Sequence, residues 1–136
     1  MFSKYLIDAS ALYPLILKLK EELMNYTDRL LVLDLTVYEV GNAIWKEFRR
    51  NRIKDLTAVV KLFEEIFSSI TIVRPEIELS KVLELAVSEK LTFYDASYLY
   101  VARTYGVKLV TEDKELLRYP ESIDSERLVK ELRSCK

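Results

Sequence analysis

Strand-length apolar runs alternate along this chain with longer amphipathic stretches, and that alternation constrains its fold more than any other feature. Residues 4–8 around "YLI", "LLVLDL" at 30–35, "ITIVR" at 70–74 and "VKLVT" at 107–111 are short and rich in Leu, Ile and Val. Between them, "TVYEVGNAIWKEFRRNR" sets Val37, Val40, Ile44 and Phe48 on one helical face, and "DLTAVVKLFEEIFSS" and "EIELSKVLELAVSEK" are again amphipathic. "FYDASYLYVARTYG" predicts a helix stopped at Gly106, and residues 124–133 predict a terminal helix. Ser10 is expected to cap the first helix, putting Pro14 in its first turn and its end near Met24. Strands that alternate with helices imply a central, mostly parallel sheet covered on both faces, a three-layer α/β/α architecture. At 136 residues, 1–136 is expected to be one domain.

Composition removes whole classes of chemistry. The chain has no histidine, which excludes Ser-His-Asp and Cys-His nucleophile systems and imidazole bases. Gly41 and Gly106 are its only glycines, too few for a glycine-rich phosphate loop. An enzyme built on this chain must therefore work with carboxylates, and a carboxylate site favours magnesium or manganese over zinc. The single cysteine, Cys135, has no intrachain mate, which fits a cytoplasmic protein, and no apolar run is long enough to span a membrane. With 21 basic and 22 acidic residues, nucleic-acid binding would need a local patch. "KEFRRNRIK" at 46–54, with Arg49, Arg50 and Arg52, is the strongest such cluster, either holding RNA phosphates or complementing a helix C-terminus. The tyrosines and Trp45 could stack on RNA bases, but at helical spacing aromatics are more often core or subunit contacts, and no catalytic part is assigned to them.

Direction alone gathers four acids. Asp8 ends the first strand, Asp113 follows the last of the four apolar runs, and Glu39 lies in the first turn of the helix leaving the second. The helix that ends at Gly106 turns directly into "VKLVT", so Asp95 at its other end returns to the same carboxyl edge. Ligand sites of open parallel sheets lie on that edge. Each acid also has a structural use. Thr36-x-x-Glu39 and Thr92-x-x-Asp95 match the capping-box pattern, Asp113 can cap "KELLRY", and capping is compatible with metal ligation. Asp8 is the least dispensable, since Ser10 alone would serve as a cap, and a buried carboxylate needs compensation.

These segments carry a family resemblance. "YLIDAS", "TVYEVGNAIW", "TFYDASYLYVAR" and "LVTEDKEL", in this order and spacing across residues 4–118, resemble the signature segments of PIN domains, above all the VapC-type ribonuclease toxins. The resemblance implies a metal-binding quartet of Asp8, Glu39, Asp95 and Asp113, supported by Ser10, Thr111 and Asn42, with Glu115 where many members have a further Asp. It implies Mg2+- or Mn2+-dependent endoribonuclease activity leaving a 5′-phosphate and a 3′-hydroxyl. It also implies a small VapB-type antitoxin as partner, and a homodimer. A non-catalytic RNA- or protein-binding PIN-like module that keeps the acids as caps is the alternative. A phosphoryl-accepting Asp8 is a distant third, because Ser10 stands where haloacid-dehalogenase-like enzymes need a second Asp.

Overall fold

Tyr5–Ile7 (β1), Leu30–Leu33 (β2), Thr71–Val73 (β3) and Lys108–Val110 (β4) form strands within the four expected runs, and the two-residue Ser122–Ile123 (β5) adds a fifth. The structure, a computed structural model, describes residues 3–134, so Cys135 lies outside the described residues. The strands join in the order β3-β2-β1-β4-β5, and every neighbouring pair is parallel. Both sides of the sheet are apolar because successive residues of a strand point to opposite faces. Tyr5, Ile7, Leu30, Val32 and Val110 belong to one core cluster, while Leu6, Leu31, Leu33, Val73 and Leu109 belong to another.

Helices cover the two faces as the alternation requires. Ala9–Leu19 (α1), Leu56–Ser69 (α3) and Ser125–Ser134 (α7) pack on the first cluster with Val40 of Asp34–Arg49 (α2). Leu79–Glu89 (α4) and Phe93–Tyr105 (α5) pack on the second with Leu116 of the short Lys114–Leu117 (α6). Gly106 ends α5 at φ 65°, a left-handed conformation that costs a glycine little. The chain runs β1, β2, β3 outward in one direction and then returns to place β4 on the other side of β1, which creates a switch point between β1 and β4.

The start of α1 differs from expectation. Asp8, not Ser10, is the N-cap: its carboxylate accepts from the Ala11 amide at 3.1 Å, and Ser10 is already helical. Pro14 therefore falls in the second turn, where its ring takes the place of a backbone donor to the Ser10 carbonyl. The α-helix also stops at Leu19 rather than near Met24. Lys20 takes φ 49°, outside helical geometry, and Lys20–Arg29 continues as a 3-10 helix. At α2, the helix begins at Asp34, two residues before Thr36, so Glu39 lies in the second turn rather than the first.

Candidate active site

The switch point is where the chain places its most buried acid. Asp8 is 5 % exposed, directly follows β1, and its amide donates to the Val110 carbonyl of β4 at 3.0 Å. Its Oδ1 accepts from Ser10 Oγ at 2.6 Å as well as from the Ala11 amide. Ser10 Oγ lies 3.3 Å from Thr111 Oγ1 and accepts from the Glu112 amide at 3.0 Å, which ties the end of β4 to the start of α1. Thr111 Oγ1 accepts from the Asp113 amide at 3.0 Å, and Asp113 caps α6, its Oδ1 accepting from the Glu115 amide at 2.9 Å. The two hydroxyl residues of the sequence motif thus stand between the first and fourth acids.

The other two acids arrive on helices. Thr92 caps α5 by accepting from the Asp95 amide at 3.1 Å, and Asp95 occupies the first helical turn. Glu39 is held differently. Its Oε1 accepts a 2.6 Å bond from the Tyr98 hydroxyl, and the same hydroxyl lies 2.7 Å from Thr36 Oγ1. Thr36 is therefore no cap, and Glu39 is not the second half of a capping box. Asn42, three residues farther along α2, is exposed, and among the described residues it is bonded to none of the four acids.

Electrostatics shows that the acids share one region. Burial pushes the Asp8 carboxyl above the usual Asp range, against hydrogen bonds from Ser10, Thr111 and Ala11 that pull it down, and Glu39 adds repulsion. Burial likewise raises Asp95, and the charges of Asp113, Asp8 and Glu115 raise it further. Tyr98 stays a proton donor: burial, then its bond to Glu39, lifts its phenol well above the ordinary 10.0.

This donor set fits a hard divalent cation. It consists of carboxylate oxygens without imidazole or thiolate, and its mutual repulsion is what a cation relieves. Oδ1 of Asp8, Oδ1 of Asp113 and Oε1 of Glu39 are engaged by the protein, while the second oxygens of Asp113 and Glu39 take no part in those bonds. Among the described residues no three acids stand closed around a ready-made metal cage. Magnesium does not require one, because it keeps several waters and uses one or two carboxylates with substrate phosphates.

The basic cluster lies elsewhere. Arg49 stacks over Trp45 at 5.2 Å, while Arg50 and Arg52 share Glu47 at 3.6 and 3.4 Å in exposed ion pairs worth little energy. Arg49 lies ten positions along α2 from Glu39, roughly 15 Å at a rise of ~1.5 Å per residue. Tyr98 is the residue that sequence reading passes over. Its signal is there: it follows Asp95 by three positions, on the same face of a helix whose neighbouring positions are small or apolar.

The chain is similar to known proteins along most of its length. A family model described as the PIN domain matches residues 5–122. The chain is 43 % identical over 127 residues to "Exonuclease VapC9" of Pyrobaculum aerophilum, covering 93 % of each protein. It is 32 % identical over 120 residues to "Ribonuclease VapC3" of the same organism, covering 83 % of this chain and 92 % of that one. The crystal structure of PAE2754 from Pyrobaculum aerophilum superposes with a TM-score of 0.87 at 42 % identity, over 98 % of this chain and 99 % of that one.

Proposed function

The chain belongs to the PIN-domain family, as a VapC-type member, and on that premise we propose that it is a divalent-metal-dependent endoribonuclease, the toxin of a toxin-antitoxin pair. The observation that carries the site is the buried, electrostatically strained Asp8 at the switch point, repelled by Glu39 and in turn repelling Asp95. Asp8 and Asp113 are the direct ligands, and Asp95 is a ligand directly or through water. A bound Mg2+ or Mn2+ would polarise the scissile phosphate and lower the pKa of the attacking water. Glu39 orients that water or serves as a further ligand. Ser10 and Thr111 hold Asp8 and Asp113 in register through the bonds described above, and Asn42 extends the same face of α2 as Glu39.

Arg49, Arg50 and Arg52 are proposed to hold phosphates of the RNA away from the cut. The chain is proposed to work as a single cytoplasmic domain. Among the described residues no helix is long and apolar enough to cross a membrane. Two exposed apolar stripes support partners in the form of a small VapB-type antitoxin and a second copy of the chain. One is Val37, Tyr38, Trp45 and Phe48 on α2, and the other is Leu79, Leu83 and Val87 on α4.

The relative with the higher identity is named an exonuclease, so the test separates cutting within a strand from trimming its end. Purified protein is incubated with linear and circular single-stranded RNA in Mg2+, in Mn2+ and in chelator. The expected result is metal-dependent opening of the circle, lost in Asp8→Asn, with the variant's circular dichroism unchanged. Cleavage of linear RNA alone would make the enzyme an exonuclease. Full activity of Asp8→Asn would remove the site.

A further inference from the structure

Asp8 and Asp113 are held by backbone amides of the helices they cap, and Asp95 lies in the first turn beside its capping threonine. Glu39 has no such anchor. It sits in the second turn of α2, on a longer side chain that loses more rotamer freedom when fixed. Its protein bond comes instead from Tyr98, a residue of α5 that is 2 % exposed and belongs to the core cluster opposite the one that receives Val40 of α2.

Proton counting gives the bonds a direction. The Tyr98 hydroxyl has one proton, and the ionised carboxylate of Glu39 can only accept, so that proton goes to Oε1. Thr36, 2.7 Å away and fully buried, must then donate to the phenol oxygen. The relay Thr36 to Tyr98 to Glu39 leaves α2, visits α5 and returns to α2 one turn later. Thr36 alone would satisfy a buried phenol, so the second bond, to a carboxylate, is more than core bookkeeping.

We propose that Tyr98 is a positioning residue for the metal site, fixing Glu39 by Oε1 so that Oε2 is presented to the cation or to the attacking water. This rests on the reading of the four acids as a metal site. Groups that orient a ligand in this way typically contribute about 10–100-fold to metal affinity or activity.

The test compares wild type, Tyr98→Phe, Glu39→Ala and the double variant. Phe keeps the ring in the core and removes only the bond. Mn2+ affinity is measured by calorimetry on the full chain, and kcat and KM on single-stranded RNA at saturating Mn2+. Tyr98→Phe is expected to weaken Mn2+ binding or lower kcat by roughly tenfold or more, with KM within about twofold and the chelated protein's melting temperature close to wild type. In the Glu39→Ala background the same change should add nothing, because its effect passes through Glu39. A purely packing role would instead lower the melting temperature in both backgrounds. Wild-type Mn2+ affinity and kcat in Tyr98→Phe, or an equal loss in the absence of Glu39, overturns the inference and leaves the metal site standing. Absence of Mn2+ binding by the wild type would overturn both.

Discussion

With 5 % of its surface exposed, Asp8 carries a charge that opposes folding, and this has a consequence independent of any activity. Its carboxyl is raised above 3.8 by burial, so the folded state holds the proton more tightly than the unfolded chain does. The sign follows from linkage. The favourable contribution is fully present below the unfolded value and is lost as pH rises through the raised folded value, so at neutral pH the ionised Asp8 destabilises the metal-free protein. Asn keeps the capping oxygen and removes the charge. Asp8→Asn should therefore melt above wild type at pH 7 in chelator, by about 3–5 °C, the shift that ~1 kcal/mol gives in a domain of this size. The gain should disappear below about pH 4 and reverse when Mn2+ is added. A variant that melts below wild type in chelator at pH 7 contradicts the strained-carboxylate account. At this scale the sequence names the candidate acids but not how each is held. The identity of Asp8 as a cap depends on where α1 starts, and "DAS" offers Asp8 and Ser10 as equally good caps. The partner of Glu39 lies 59 positions away in the chain, so no local pattern could name it.

Elements were legible where burial and periodicity coincide. β1 to β4, α3, α4 and α5 lie close to their expected spans because each apolar run or helical face is long enough to state its period. β5 escapes because Ser122–Ile123 contributes two half-buried residues whose pairing is earned only from the neighbouring β4, through bonds such as the Thr111 amide to the Ile123 carbonyl at 3.0 Å. The 3-10 segment is equally silent, since its departure from α1 turns on one backbone angle at Lys20. The far end of α2 poses the open question of use. Arg50 and Arg52 already share Glu47, so their contribution to RNA binding competes with that exposed pair. If all three arginines contact phosphates, replacing Arg49, Arg50 and Arg52 with Ala should flatten the salt dependence of single-stranded RNA affinity by about 2 in the log-log slope, at ~0.7 per contact. The melting temperature should change little. An unchanged slope in a binding titration across salt concentrations would return this stretch to a solvated helix end.

Across the whole molecule, the acids meet because of topology rather than sequence proximity. β1 and β4 are adjacent and parallel, so the residues that follow them, Asp8 and Asp113, leave the sheet on the same edge although 105 positions separate them in the numbering. α2 leaves that edge after β2, and α5 reaches it from the opposite layer, bringing Glu39 and Asp95. The sequence gives the direction of the strands and so the shared edge, while the strand order that sets β1 beside β4 comes from the structure. The one-sided repulsion that gives it meaning required burial and distance. The central claim is that the four carboxylates form one divalent-cation site, and the most direct measurement is the anomalous scattering of manganese in crystals of the protein soaked in Mn2+. The account predicts a peak beside the switch point, with carboxylate oxygens of Asp8 and Asp113 at about 2.0–2.2 Å, the distances of a small octahedral divalent ion, and with Asp95 and Glu39 bound directly or through one water. A peak elsewhere, or none beside Asp8 at saturating Mn2+, would contradict it.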